Sequence, residues 1–189
     1  MSKLIITGST GYIGSRLIQH LGKTNHKLIC TARNKRFIEN KLPKNATAVQ
    51  IDFTKNINIT EMFMGADIAF FLMHSLGEQK AFEKIESEVA RNFVIAAKKS
   101  GVKKIIYLGG LFNTNIKDHS PHMRSREEVG NILRESGIPV VELRASIILG
   151  YGSTSFELIR ALVERLPVMV TPKWVRMKAQ PIFIKDVIK

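Results

Sequence analysis

Short apolar runs alternate along this chain with segments whose apolar residues recur every three or four positions. Leu4-Ile5-Ile6-Thr7 reads as a buried strand, and Tyr12 to Leu21 follows with Ile13, Leu17, Ile18 and Leu21 at helical spacing. Lys27 to Ala32, Ala46 to Ile51 and Asp67 to Met73 read as the second, third and fourth strands. Ala81 to Lys99 is the clearest helix: Phe82, Ile85, Val89, Phe93 and Ala96 form one stripe, and Gly101 closes it. Lys103 to Leu108 is a fifth strand, Pro121 to Ser136 a helix, and Val140 to Leu143 a sixth strand. Phe156 to Leu166 is expected to be a helix with Phe156, Ile159, Val163 and Leu166 inward.

Strands separated by helices imply right-handed βαβ crossovers and a parallel sheet. The strands are apolar almost throughout, as they must be when helices cover both faces. The fold expected is therefore α/β: a doubly wound parallel sheet in three layers, αβα. After Gly150 the alternation becomes less regular, so the reading is a domain over 1–150 and a second segment over 151–189.

Composition narrows the classes little. The 189 residues are 44% hydrophobic and 24% charged, an ordinary globular balance. The richest apolar run, Ile68 to Met73, is far too short to span a bilayer. No cleavable leader is evident and the single cysteine precludes a disulfide framework, so a soluble cytoplasmic protein, not membrane-bound, is expected. The net charge of +13 is the unusual feature. It favours anionic partners, but the basic residues are scattered, the densest stretch being Arg33 to Lys44. That pattern suits a phosphorylated ligand or a generally basic surface better than nucleic acid, and no nucleic-acid partner is expected.

The first strand runs directly into Thr7-Gly8-Ser9-Thr10-Gly11-Tyr12-Ile13-Gly14 and then a helix. Gly8 permits a tight turn out of the strand, Gly11 lets backbone approach a diphosphate, and Gly14 lets the helix pack on the sheet. The amides of Ser9, Thr10, Tyr12 and Ile13 complete a loop that opens on a helix N-terminus, where anions bind well. The second strand ends at Arg33, where an NAD-binding fold would usually carry an acid for the ribose 2′-hydroxyl. A guanidinium there suits a 2′-phosphate, which points to NADP with NAD the lesser candidate; the alternative is a solvated loop charge.

The turn is similar to the T-G-x-x-G-x-x-G of extended and atypical short-chain dehydrogenase/reductases. Val102 to Leu108 resembles that superfamily's fifth strand, Ser136 to Arg144 its helix end and sixth strand, and Pro181 to Val187 its P-I-x-x-x-D-V element. The chain thus resembles, over essentially all its length, the YbjT-like and NmrA-like branch of these Rossmann-type proteins. The resemblance implies strand order 3-2-1-4-5-6 and a dinucleotide at the strands' carboxyl ends. It implies that Asp52, with Phe53 beside it, accepts from the adenine amino group, unless Asp52 is simply a turn aspartate. It implies that Leu72, Met73, His74 and the following Ser75 line the adenine ribose and diphosphate, although His74 could instead be a satisfied polar residue at a strand end. It also implies that the two long helices could pair between copies in a homodimer.

Catalysis does not carry over. Active members of the superfamily use Ser, Tyr and Lys, with Tyr-x-x-x-Lys on the helix after the fifth strand. Here residues four beyond Tyr12, Tyr107 and Tyr151 are Arg16, Leu111 and Ser155, and the serine position is Gly109-Gly110. The matching place holds His122-Met123-Arg124-Ser125-Arg126. On one reading His122 replaces the tyrosine, since imidazole titrates near neutrality, and Arg126 one turn on binds ribose or polarises a substrate oxygen. Val129 and Leu133 would continue that face toward the sheet. Arg126 could not be a base. On the other reading the triad is lost, Gly109 only leaves room for the cofactor, and the protein is a dinucleotide sensor.

Other residues say less. The histidines show no zinc spacing, so no metal is expected. Tyr151-Gly152-Ser153 follows the sixth strand, where a small-molecule substrate of unknown identity would enter, or is a flexible loop. Trp174 among Lys173, Arg176 and Lys178 would begin the substrate-side layer or pack on the surface. Asp186 to Lys189 reads as a helix just starting, as in a truncated piece of a longer protein.

Overall fold

The computed structural model describes residues 1–55, 63–74, 82–111, 120–166 and 179–189. The calls on Ser75 and on Trp174 with its basic neighbours lie outside the described residues. The chain divides into two units, Met1–Arg144 and Ala145–Lys189.

The first unit carries the alternation read from the sequence: β1 (Lys3–Ile6), α1 (Tyr12–Leu21), β2 (Lys27–Ala32), β3 (Ala46–Gln50), β4 (Ile68–Phe71), α2 (Phe82–Lys99), β5 (Lys104–Gly110), α3 (Pro121–Arg134) and β6 (Val140–Ala145). Two short 3-10 turns, Lys35–Phe37 and Glu39–Lys41, sit between β2 and β3. The six strands form one sheet in the order β3-β2-β1-β4-β5-β6, as the resemblance implied. β1 pairs in parallel with β2 and β4, β2 with β3, and β4 with β5. This is the Rossmann-type arrangement, with its order reversing at β1.

Register explains why the strands are apolar on both sides. Side chains alternate between faces along each strand. Ile5, Ile29, Val49, Ala69, Phe71, Ile105 and Tyr107 fall on one face and pack with Ala90, Phe93 and Ala97 of α2 and Val129 and Leu133 of α3. The intervening residues Leu4, Ile6, Leu28 and Cys30 are equally buried on the other face, where α1 brings Leu17 and Ile18. Phe71 anchors the larger core, its ring edge-on to Phe93 at 4.9 Å and to Tyr107 at 5.9 Å.

The second unit holds β7 (Ile147–Leu149), α4 (Thr154–Arg165), β8 (Pro181–Phe183) and α5 (Ile184–Ile188), with β7 and β8 parallel. Its first strand begins ahead of Gly150, where the sequence alternation lapses. The inward stripe expected of α4 is not buried: Ile159 is 46% and Val163 62% exposed. The two described strands of this unit have three residues each, against twelve in α4.

The junction of β1 and α1 leaves no room for a side chain. A Cβ on Gly14 would lie 2.3 Å from the Gly8 carbonyl oxygen and 3.0 Å from its carbon. Both are backbone atoms of the turn, so neither can step aside. Gly14→Ala is therefore expected to destabilise the protein by about 2–4 kcal/mol, read as a lowered urea midpoint at unchanged m-value.

Candidate functional site

A cleft opens at the carboxyl ends of β1, β2 and β4, where the strand order reverses. Its volume is about 240 Å³. The glycine turn forms its floor. Gly8 adopts φ +66°, a left-handed conformation costly for any residue with a Cβ, and a Cβ there would meet the Leu72 carbonyl oxygen at 2.5 Å. The Gly11 amide donates to the Gly8 carbonyl at 2.9 Å and closes the turn. Thr7 locks the arrangement to the neighbouring strand: its hydroxyl donates to the Phe70 carbonyl at 2.9 Å and accepts from the Leu72 amide at 3.2 Å. Ser9 is buried and spends its hydroxyl on the Ile6 carbonyl.

Two other helix starts are capped by side chains, while that of the five-residue α5 is not. Ser120 accepts from the Met123 amide at the start of α3, and Ser153 from the Phe156 amide at the start of α4. The start of α1 differs. Its N-cap is Gly11, it has no side-chain cap, and no acid stands in its first turn. The positive end of that helix is uncompensated by protein and faces a groove open enough for an anion.

At the β2–β3 end of the cleft stand Arg33, Asp52, Phe53 and Thr54. Asp52 behaves as a turn aspartate, as one sequence reading had it: one carboxylate oxygen accepts from the Thr54 amide at 3.1 Å and hydroxyl at 2.7 Å. The Thr54 hydroxyl is the main reason its carboxyl titrates below the usual range, with Lys55 and Arg33 adding smaller effects. It lines the cleft all the same. The Phe53 carbonyl accepts from the Asn92 side chain at 2.8 Å, which fixes this wall to α2. Arg33 also borders a second hollow of about 780 Å³ with Thr10, Asn34 and Lys41.

At the other end lie Leu72, Met73 and His74. The His74 ring, half-buried, reaches across to β5, where its Nε2 is 3.2 Å from the Leu108 carbonyl oxygen. Burial, and after it the Arg126 charge, push its pKa down to about 4, the bond to Leu108 pulling the opposite way. Tyr107 beside it is fully buried, its hydroxyl donating to the Arg126 carbonyl at 2.9 Å, and its pKa is pushed up mainly by burial.

His122 and Arg126 of α3 differ in burial. His122 is exposed and stacks on Phe82 of α2, ring centroids 4.5 Å apart, instead of following Val129 and Leu133 onto the sheet. The buried stripe of α3 is Ser125, Val129 and Leu133, and Arg126 is half-buried. Tyr12, Ile13 and Gly14 do not line the cleft with side chains; the Tyr12 ring lies beneath the Arg16 guanidinium at 3.7 Å. A Cβ on Gly109 would point at Glu142 and Tyr107.

Several lining residues escaped the sequence reading. Ile85, Glu86 and Val89 of α2 and Val129 of α3 close the cleft from above. Glu86 is buried and accepts a short hydrogen bond from the Ser125 hydroxyl. Glu86 interrupts the buried apolar face of α2 that carries Phe82, Ala90 and Phe93, and a carboxylate there was the available signal.

Comparison with known proteins agrees with this architecture. A family model described as the NmrA-like family matches residues 1–166. The chain is 29% identical over 121 residues to the chloroplastic divinyl chlorophyllide a 8-vinyl-reductase of Arabidopsis thaliana, covering 57% of this chain and 29% of that protein. It therefore spans less than a third of that relative's length. Among solved structures, the Bordetella bronchiseptica enzyme WbmH in complex with NAD+ superposes with a TM-score of 0.76 at 21% identity, covering 100% of this chain and 70% of that one. The Citrobacter sp. triphenylmethane reductase complexed with NADP(H) gives 0.68 at 24% identity, covering 86% and 55%. At these identities the two structures establish shared fold.

The His74 environment has a consequence for stability. A histidine whose pKa falls from 6.5 unfolded to about 4 folded favours the native state only while neutral. Between those values the unfolded chain binds more protons, so stability falls as pH drops from 6.5 toward 4, by up to roughly 3 kcal/mol. In His74→Phe that part of the slope is expected to vanish, measured as the difference in urea midpoints between pH 7 and pH 4.5.

Proposed function

The chain belongs to the NmrA-like family, and on that premise we propose that it binds NADP(H) in the cleft and is an oxidoreductase- or epimerase-like member of the atypical short-chain dehydrogenase/reductases. The observation that carries the reading is the uncapped start of α1. The protein leaves this helix end unsatisfied, in a turn where a Cβ on Gly8 or Gly14 would strike backbone.

The residues present fit such a group. Amides at the start of α1 would hold the diphosphate, supported by the dipole. Arg33, with Thr10, Asn34 and Lys41 around the adjoining hollow, offers donors and positive charge for a 2′-phosphate. Phe53 and Asp52 offer a flat apolar wall and an acceptor for adenine. Nicotinamide, when bound, supplies hydride transfer at carbon. The chain's own part at the other end is electrostatic: Arg126 keeps a positive charge near His74 and Tyr107. Tyr107 is not suited to proton transfer, because its hydroxyl is buried and committed to a backbone carbonyl.

A second reading, a non-catalytic dinucleotide sensor, is favoured by the stacking of His122 on Phe82, which holds the imidazole against α2. A carbonyl panel assayed with NADPH separates the two. Turnover that drops at least a hundredfold in His122→Ala supports His122 as the proton donor; no turnover in the wild type supports the sensor.

Cofactor choice has its own test. Nicotinamide fluorescence titration is expected to show NADPH bound about tenfold or more tightly than NADH, with Arg33→Asp reversing the order. Equal affinities in the wild type would remove Arg33 from the argument.

A further inference from the structure

Lysines that are scattered along the sequence are gathered by the fold at one edge of the sheet. β1 opens at Lys3 and β2 at Lys27, and these two residues are direct partners. Leu4 is level with Ile68 and Ile68 with Lys104, the first residue of β5, so Asp67 and Lys103 stand in the row of Lys3 and Lys27. Lys44 comes two residues before β3. Beside it the Asn45 side-chain amide donates to the carbonyls of Leu21, Thr24 and His26, which brings the turn after α1, with Lys23, to the same edge. On the other face of the sheet α2 ends in Lys98 and Lys99, and the Ser100 carbonyl takes the Gly65 amide just ahead of β4. Strands begin and helices end here, at the end of the sheet remote from the cleft.

Lys23, Lys27, Lys44, Lys98, Lys99 and Lys104 are exposed. None of the six is paired with an acid among the described residues. The described acids at this edge are Asp67 and Glu135, the latter just past α3. Asp67 is already engaged: its carboxylate accepts from the Lys103 ammonium at 2.8 Å and the Lys3 amide at 3.0 Å. Neighbouring strands lie ~4.8 Å apart, so the row from β3 to β5 spans about 19 Å. The strand starts are level to within a residue or two, and the helix ends on both faces widen the row into a flat basic patch.

The chemistry of the patch selects its partner. Its free cations are all lysines, compact point charges without the planar fork by which arginine grips a single phosphate in fixed geometry. The exposed aromatic side chains among the described residues, Phe37, Tyr151 and Phe183, all lie elsewhere, so the patch has no platform on which bases stack. What it exposes instead is Met64, 53% accessible, whose carbonyl accepts from the Lys3 ammonium at 2.8 Å in the middle of the row. An apolar side chain ringed by lysines on a flat face matches a charged interface with an apolar layer beneath it. We propose that this face is a reversible docking surface for an anionic lipid bilayer. The lysines lie at the level of the headgroups and Met64 reaches the acyl boundary. Docked in this way, the sheet stands on end, and the cleft at the other end of its strands stays open to solution. The surface acts independently of what the cleft binds.

Vesicle co-sedimentation tests the proposal. At about 0.1 M salt the protein is expected to sediment with phosphatidylcholine vesicles containing about 30% phosphatidylserine, and not with phosphatidylcholine alone. A lysine near such a surface is worth about fivefold, so Lys27→Gln with Lys104→Gln is expected to weaken binding about 25-fold. Lys35→Gln with Arg36→Gln removes the same charge at the carboxyl end of β2 and is expected to change binding less than about threefold. Met64→Ser leaves the charge intact and is expected to weaken binding about fivefold. The substituted side chains are all exposed, so the variants are expected to melt with the wild type. Equal weakening by the two charge-removing pairs, equal binding to uncharged vesicles, or an unchanged Met64→Ser overturns the proposal. A gel shift of duplex DNA at the same salt, with no sedimentation on the phosphatidylserine vesicles, assigns the face to nucleic acid and overturns it too.

Discussion

The collision distance between the Gly8 carbonyl and Gly14 governs this molecule. Strand β1 can hand the chain to α1 in so short a span only because neither position carries a side chain. The same geometry seats the Leu72 carbonyl against Gly8, so the ends of β1 and β4 are welded at one point, with the Thr7 hydroxyl bridging them. Everything that lines the cleft is placed relative to this joint. Arg33 and Asp52 reach it along β2 and β3, and His74 leaves it toward β5.

That joint was legible in the sequence because glycine spacing encodes a steric requirement. The strand order followed from alternation and resemblance, since a chain of βαβ units has few ways to cover both faces of its sheet. Side-chain direction was less legible. The spacing of His122 and Arg126 placed them on one helix face, but His122 lies in the first turn of α3, where Phe82 offers an aromatic surface outside the sheet's cover. Periodicity describes a helix alone and contains no record of its neighbour. The same limit applies to α4, whose apolar stripe reads as buried in sequence and stands exposed among the described residues. Asp52 is intermediate: it is the turn aspartate of one sequence reading, and it also borders the cleft.

The electrostatic character of the cleft is graded from end to end. Arg33 brings positive charge at the β2 side, the helix end brings it at the centre, and the His74 imidazole, kept neutral at pH 7 mainly by burial, lies at the β5 side. Anionic groups are favoured at the first two of these places. The overall charge of +13 raises the local concentration of any such anion without choosing among them. Choice rests with the short-range contacts, which act through geometry and survive physiological salt better than the long-range field.

The most direct measurement is an amide chemical-shift titration with NADPH on isotopically labelled protein. Saturable shifts confined first to residues 8–14 and 72–74 are what this account predicts. Unshifted resonances across residues 8–14 at millimolar NADPH, in a protein whose spectrum is well dispersed, would contradict it.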